Sequence, residues 1–200
     1  MWIKICGLTT PEAVTAALDA GADAIGFVFA KSVRQVSADV ALRLAAPARG
    51  RALCVAVTRH PSQEDIDDIV SVFKPDVLQT DSADLALLRL PTQLELLPVM
   101  RGAGGEALVL PPRLLFEGLT SGAGVPCDWT AARRVARRTE LVLAGGLNPA
   151  NVAAAIAAVQ PFGVDVSTGV EVRPGVKSPA EIMKFVRAAR ESGAVSEVRV

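Results

Sequence analysis

The sequence has few of the residues on which many catalytic and metal-binding sites depend. Its 200 residues contain one histidine, His60, no tyrosine, and only 4% aromatic residues in all. A Ser-His-Asp triad or a site with several histidine ligands has almost nothing to be built from, so catalysis would have to use carboxylates, thiols, lysines or the backbone. The three cysteines, Cys6, Cys54 and Cys127, form an odd set without paired spacing, which predicts free thiols in the reducing cytoplasm.

An excess of charge of one sign and long apolar runs are also missing. The 21 Lys and Arg residues balance 21 Asp and Glu residues, so the formal net charge is zero. Nucleic-acid binding needs an excess of positive charge on one face, and we therefore do not expect it. No unbroken apolar run approaches the roughly 18 residues that would cross a bilayer, and no signal-peptide pattern follows Met1. We expect a single globular domain over residues 1–200 that binds no membrane.

The apolar residues, which make up half of the chain, follow a regular alternation. Short runs rich in Val, Ile and Phe alternate with longer Ala- and Leu-rich stretches of helical period, which predicts βαβ units and a parallel sheet. Strands are predicted at 2–6, 23–29, 52–57, 76–79, 94–100, 113–117, 140–143 and 163–166. Helices are predicted at 11–19, 37–45, 62–73, 81–89, 130–138, 149–159 and 178–190.

Eight strands with nearly regular helical crossovers favour a compact (β/α)8 barrel. The stretch 102–112 is rich in Gly and Pro, so the helix after the fifth strand is expected to be missing or reduced. A doubly wound open sheet is the alternative fold. It usually has its Gly-rich turn after the first strand, whereas here two such turns follow strands seven and eight.

These two turns are the first candidate binding site. One contains Gly145 and Gly146, and the other contains Ser167, Thr168 and Gly169. Either alone usually marks only a tight turn. In barrels, however, the loops after strands seven and eight frequently bind phosphate through backbone N–H groups and a helix N-terminus. Both turns together, with hydroxyls in the second, therefore predict a phosphate site.

Three further residues carry chemistry at the predicted strand ends. Cys6 shares a face with Lys4, and a nearby cation favours the thiolate, although most free cysteines are only small buried hydrophobes. Glu117 ends strand six, where partial burial would favour a proton-donating carboxyl, while a solvated strand-end glutamate is equally common. Asp165 is a charge within an apolar strand and needs a partner. Lys4 is that partner if strand eight closes onto strand one.

Arg34, in the predicted loop after strand two, is a candidate for clamping a carboxylate with its planar guanidinium. An exposed loop arginine without such a role is the alternative interpretation.

These segments together resemble the phosphoribosylanthranilate isomerase family of tryptophan biosynthesis. The resemblance runs almost end to end, through KICGLT at 4–9, AGADAIGFVF at 20–29, LAGGLNPANV at 143–152, GVDVSTGVE at 163–171 and PGVK at 174–177. It implies a compact barrel without a regular helix after strand five. It also implies an Amadori rearrangement of a small phosphorylated substrate, without a metal or organic cofactor, by a monomer or a homodimer.

Residue roles follow from the same resemblance. Cys6 matches the general base, which removes the proton from ribose C2, and Glu117 stands where the family has its general acid, an aspartate. Arg34 matches the contact to the anthranilate carboxylate. The phosphate-binding turns correspond to Gly145, Gly146, Ser167, Thr168 and Gly169.

The chain departs from the family pattern at two loops. Gln-Thr-Asp-Ser at 79–82 replaces the usual Gln-Leu-His-Gly, and the loop at 30–35 lacks the customary proline and aromatic residue. Two other functions stay open: a catalytically silent barrel that binds a phosphorylated ligand, and a sister isomerase acting on an aminoaldose phosphate. The latter usually presents two aspartates at strands one and six, whereas this chain has a cysteine and a glutamate there.

Overall fold

Eight parallel strands close into a barrel in the computed structural model, which describes residues 1–102, 109–118 and 127–197. The first strand pairs with the second on one side and with the eighth on the other. The closed barrel is therefore confirmed, and a doubly wound open sheet is excluded. The barrel strands are β1 (Trp2–Cys6), β2 (Ala24–Val28), β3 (Leu53–Val57), β4 (Val77–Asp81), β5 (Glu95–Arg101), β6 (Arg113–Glu117), β7 (Glu140–Leu143) and β8 (Gly163–Val166).

Helices follow most strands and begin where the sequence supplies a cap. The side chains of Thr10, Ser37 and Ser62 each accept a hydrogen bond from the first turn of the helix that they precede. None of the described helices is both long enough and apolar enough to cross a membrane. The helices are α1 (Pro11–Asp19), α2 (Ala38–Ala45), α3 (Gln63–Asp68), α4 (Ser82–Leu85), α5 (Trp129–Ala136), α6 (Val152–Val159) and α7 (Pro179–Glu197).

Several helices differ in length from the sequence prediction. Helix α3 ends at Asp68, and the rest of the predicted 62–73 is a π-helix over Ile69–Phe73. Helix α4 ends at Leu85 instead of residue 89, and Leu87 beyond it is 83% exposed, so this apolar stretch gains little of the packing that stabilises helices. Helix α6 begins at Val152 because the Asn148 side chain first accepts hydrogen bonds from the N–H groups of Ala150 and Asn151. The predicted loss of the helix after β5 falls largely on residues 103–108, which lie outside the described residues.

The alternation along each strand sorts side chains between two cores. In β1, Ile3 and Ile5 belong to the core between the strands and the surrounding helices. Lys4 and Cys6 lie on the opposite, interior face of the strand. Since the strands are parallel, their C-terminal ends meet at one rim, where Cys6 and Glu117 are the last residues of β1 and β6.

A short antiparallel ribbon after β8 was not predicted. It consists of β9 (Glu171–Arg173) and β10 (Val176–Lys177), and the turn between the two strands places Gly175 at a φ of 82°. The ribbon brings Glu171 and Lys177 to the same rim as the predicted site.

Candidate active site

A cavity of about 240 Å³ opens at the C-terminal rim of the barrel. Among the predicted residues, Gly169 alone is not part of its lining; it lies behind, against the neighbouring loop. The cavity brings together residues from both halves of the chain. Its lining includes Cys6, Arg34, Glu117, Gly145, Gly146, Ser167 and Thr168.

Cys6 lies above a buried ion pair in the barrel interior. The Lys4 ammonium is fully buried and donates to Asp165 Oδ1 at 2.8 Å, as predicted from the closure of β8 onto β1. Gly26, the neighbour of Cys6 on β2, provides the space for this arrangement. A Cβ atom at Gly26 would stand 3.1 Å from both Cys6 Sγ and Lys4 Nζ.

The predicted thiolate character of Cys6 requires a correction. Burial raises the pKa of the Cys6 thiol above its ordinary value, and Asp165 adds to the rise. Lys4 and Lys177 act in the opposite direction, as expected for cations, but do not outweigh burial. The same contacts act on Lys4: burial disfavours its ammonium, while Asp165 and Cys6 more than compensate, and the pKa of Lys4 is raised. The thiol form of Cys6 is therefore favoured at neutral pH.

Glu117 belongs to a charged network across three strand ends. Glu117 is only 9% exposed, so the interpretation as a solvated glutamate at a strand end is wrong. The carboxylate pairs with Arg101 at the end of β5, and Arg101 also pairs with Asp81 at the end of β4. Arg101 Nε donates to Asp81 Oδ1 at 3.1 Å. Sequence reasoning missed Arg101, because nothing in the local pattern of β5 distinguishes it from a solvated strand-end residue.

Arg34 is held by a carboxylate of the chain itself. Its Nε donates to Glu171 Oε1 at 2.7 Å and its Nη2 to Glu171 Oε2 at 2.8 Å. The side chain is 12% exposed, so the alternative of an exposed loop arginine is wrong. A guanidinium has five N–H donors, and within the described residues no hydrogen bond engages Nη1. The edge formed by Nη1 and Nη2 can still bind a second carboxylate.

The two glycine turns lie against each other beside the cavity. Gly145 and Gly146 have φ values of 89° and 65°, which only glycine adopts at little cost. A Cβ atom at Gly169 would stand 1.9 Å from the backbone oxygen of Leu147. Gly145 and Gly146 follow the end of β7, and within the described residues no hydrogen bond engages their N–H groups. Converging free N–H groups of this kind bind phosphate.

One group of potential metal ligands lies within the part of the chain that the structure describes. It consists of His60, Asp81 and Asp84, whose ligand atoms lie within 4.8 Å of one another. These atoms already serve other partners. Asp84 accepts from the His60 ring at 2.8 Å and from the Thr80 hydroxyl at 2.8 Å, and Asp81 pairs with Arg101. The group is satisfied as an internal network.

Comparison with known proteins adds independent information. A family model described as N-(5'phosphoribosyl)anthranilate (PRA) isomerase matches residues 3–188. The N-(5'-phosphoribosyl)anthranilate isomerase of Rhizobium leguminosarum bv. trifolii (strain WSM2304) is 42% identical over 211 residues, which cover 96% of this chain and 95% of the relative.

Solved structures agree with the sequence comparison. Monomers generated from the dimeric phosphoribosylanthranilate isomerase of Thermotoga maritima superpose with a TM-score of 0.81 at 30% identity, covering 96% of this chain and 99% of that one. A phosphoribosyl anthranilate isomerase in complex with reduced 1-(o-carboxyphenylamino)-1-deoxyribulose 5-phosphate gives a TM-score of 0.76 at 28% identity, with the same coverage.

Proposed function

The chain belongs to the N-(5'-phosphoribosyl)anthranilate isomerase family of tryptophan biosynthesis, and on that premise we propose that it acts with Glu117 as general acid and Cys6 as general base. The substrate is N-(5'-phosphoribosyl)anthranilate and the product 1-(2-carboxyphenylamino)-1-deoxyribulose 5-phosphate. One observation carries the proposal: a thiol and a carboxyl group line the same cavity as Arg34 and both glycine turns.

The two ends of the substrate bind different parts of the rim. The phosphate accepts hydrogen bonds from the N–H groups of the glycine turns and from the Ser167 and Thr168 hydroxyls. The anthranilate carboxylate binds the Nη1 and Nη2 edge of Arg34. Anchoring both ends holds the ribose between Cys6 and Glu117, so binding energy is used for positioning.

The rearrangement then needs only proton transfers. Glu117 donates a proton to the ribose ring oxygen as the bond from that oxygen to C1 breaks, and the nitrogen lone pair forms the iminium. The Cys6 thiolate removes the proton from C2, and the electron pair of the broken C2–H bond forms the C1–C2 double bond while the iminium π electrons return to nitrogen. The resulting enolamine tautomerises to the aminoketone product. The substrate and the product are isomers, so no oxidant or reductant is consumed.

Arg101 is shared between Glu117 and Asp81, which bears on the proposed role of Glu117 as an acid. A cation bound to one carboxylate alone would hold that carboxylate ionised. Here Asp81 already supplies a negative charge to Arg101. Protonation of Glu117 therefore leaves Arg101 and Asp81 as a neutral pair. The methylene by which Glu117 exceeds an aspartate is accommodated by reaching toward Arg101 on the neighbouring strand.

Substitution of the two proposed catalytic groups tests the mechanism. We expect Cys6→Ala and Glu117→Gln each to lower kcat by about 10²-fold or more, as for loss of a general base or acid. Turnover is followed as the loss of anthranilate-type fluorescence from freshly generated phosphoribosylanthranilate. Cys54→Ala, a buried cysteine of β3, and Glu140→Gln, paired with Arg113 on the exposed side of the barrel, are matched controls with expected near-normal turnover.

The outcomes separate the candidate functions. Near-normal turnover in Cys6→Ala or Glu117→Gln would remove that residue from its role. A wild-type protein that binds the reduced product analogue but turns over no substrate would be a silent phosphate-ligand barrel. Turnover of an aminoaldose phosphate in place of phosphoribosylanthranilate would identify the sister isomerase.

A further inference from the structure

The proposed carboxylate-binding and phosphate-binding ends of the cavity are physically joined. Glu171, which holds Arg34, also accepts a hydrogen bond from Lys177 Nζ at 2.8 Å. The same ammonium donates to the Ser167 backbone oxygen at 2.9 Å and to its hydroxyl at 3.2 Å. A continuous chain of contacts therefore runs from Arg34 through Glu171 and Lys177 to the second glycine turn.

The two linking residues are buried and fully hydrogen-bonded. The Lys177 side chain is 0% exposed and that of Glu171 is 6% exposed. Lys177 has three N–H donors and uses one on each of its three acceptors. Glu171 Oε1 accepts from Arg34 and Lys177, while Oε2 accepts from Arg34 and from the Gly175 N–H at 3.2 Å. No polar atom of this pair is left to bind a ligand directly.

The electrostatics of Glu171 agree with the geometry, whereas burial lowers the pKa of Lys177 and its contacts with Glu171 offset this only in part. Burial by itself raises the pKa of Glu171, but hydrogen bonds and charge from Arg34 and Lys177 outweigh burial and bring the pKa from 4.5 to about 2. Glu171 is therefore a carboxylate at every pH at which the protein would work. Buried charges are costly unless they are paired in this way, so an arrangement with no ligand contact needs another role.

Arg34 is fixed on both sides by this arrangement. Glu171 engages one edge of the Arg34 guanidinium. The methylene groups of Arg34 lie on Gly7, where a Cβ atom would stand 2.6 Å from Arg34 Cδ. The unengaged Nη1 and Nη2 edge is thereby held at one orientation. An arginine without such support would lose rotamer freedom only when the ligand binds, which weakens binding.

We propose that Glu171 and Lys177 are positioning residues that hold Arg34 at a fixed place relative to the phosphate turn, so that the cavity selects ligands carrying a phosphate and a carboxylate at one separation. The inference rests on the proposed function, because it takes Arg34 as the group that binds the substrate carboxylate. Glu171 acts on ligand binding through Arg34, because Lys177 has two further contacts with Ser167 that do not involve Glu171, whereas Lys177 acts on both ends.

A pair of ligands that differ only in the carboxylate tests the proposal. The first is the reduced 1-(o-carboxyphenylamino)-1-deoxyribulose 5-phosphate, and the second is its phenylamino counterpart, which lacks the carboxylate. Titration calorimetry on the full chain gives the Kd of each. We expect Glu171→Gln to raise the Kd of the carboxylated ligand about tenfold or more, as for a lost charge-assisted contact. The Kd of the phenylamino ligand should rise less than about threefold.

A double-mutant cycle separates positioning from general structural support. Combined with Arg34→Ala, the Glu171→Gln change should cost nothing further in binding, because its effect passes through Arg34. Lys177→Met should weaken both ligands, since it releases Ser167 as well as Glu171. Glu181→Gln, in a surface pair with Lys184 on α7, is the control and should change neither Kd. Glu171→Asp keeps a charge for Lys177 and should show a smaller carboxylate-specific loss.

The results distinguish failure of this inference from failure of the proposed function. If Glu171→Gln weakens both ligands equally, or adds its full effect to that of Arg34→Ala, the positioning role is wrong while wild-type turnover still stands. If Glu171→Gln folds poorly and loses affinity for both ligands equally, Glu171→Asp decides. If Glu171→Asp then shows no loss of affinity specific to the carboxylated ligand, the positioning role is likewise excluded. If the wild type binds neither ligand, the proposed function fails, and the inference fails with it.

Discussion

A single side chain, the Cys6 thiol, sets the expected pH dependence once Glu117→Gln has removed the second titrating group. Burial raises its pKa, and the nearby Lys4 and Lys177 only partly oppose that rise. A general base acts in its deprotonated form, so a raised pKa moves the rising limb of kcat/KM toward alkaline pH. We expect the residual kcat/KM of Glu117→Gln for phosphoribosylanthranilate to keep increasing from about pH 7 to beyond about pH 9, past the ordinary thiol pKa of about 8.5.

The matched measurement is alkylation of Cys6 in a Cys54→Ala, Cys127→Ala background. Its rate should rise over the same pH interval as kcat/KM of Glu117→Gln, because both follow the thiolate. A flat profile for kcat/KM of Glu117→Gln over this interval would contradict the role of Cys6 as the titrating base.

The same scale shows which residues a sequence can identify. Cys6 and Glu117 end predicted strands, and Lys4 and Asp165 are charges in apolar strands, so local pattern alone singles them out. Glu171 and Arg101 carry no such local signal. The partner of Glu171, Arg34, lies 137 residues away, and only the fold brings the two together. Lys177 is part of the PGVK segment at 174–177, which belongs to the family resemblance but does not indicate the role of the lysine.

At the scale of elements, the contact between the loops after β7 and β8 is the feature to test. Gly169 allows this contact, since any Cβ atom there would overlap the Leu147 oxygen. We expect Gly169→Ala to push the two turns apart and weaken binding of the reduced product analogue by about tenfold or more. Titration calorimetry measures the Kd.

Gly21→Ala is the control for backbone destabilisation. Gly21 has a φ of 82°, so alanine strains the backbone, but nothing lies within 4 Å of its added Cβ atom. It should lower stability and leave the Kd unchanged. Unaltered binding in Gly169→Ala would mean that the two turns do not act as one phosphate site.

Element boundaries follow the sequence wherever a cap or a strand end is encoded locally. Strands β1, β6, β7 and β8 and helix α1 have their predicted bounds. Helix α4 does not, because tertiary packing rather than helical period decides its length. The ribbon of β9 and β10 was missed because strands of three and two residues are too short to show a period.

At the scale of the whole molecule, the closed barrel follows from the number of strands and their alternation with helices. Closure in turn predicted the pair of Lys4 and Asp165 across the seam. The cavity could not be predicted in the same way, since its shape depends on loops that differ from the family pattern. The choice between monomer and homodimer, and the extent of the single domain over residues 1–200, stay predictions.

The ion pair between β1 and β8 makes the stability of the barrel depend on one buried charge. Lys4 is fully buried, and Asp165 is its registered neighbour on β8. Asp165→Asn would leave a buried ammonium without a counter-charge, which typically costs about 3–5 kcal/mol. We expect the free energy of unfolding in urea at neutral pH to fall by that order, whereas Asp19→Asn, in an exposed pair with Arg51, should change it by less than about 1 kcal/mol.

The pH dependence of this loss has a defined sign. The pKa of Lys4 is raised in the folded protein, so the stabilisation from its pair is fully present below the ordinary lysine pKa of 10.5 and is lost as pH rises through the folded value. The difference in unfolding free energy between wild type and Asp165→Asn should therefore be constant through the neutral range and shrink only at strongly alkaline pH. A difference that disappeared near neutrality would show that Lys4 is not charged in the folded barrel, and that the seam is held by packing alone.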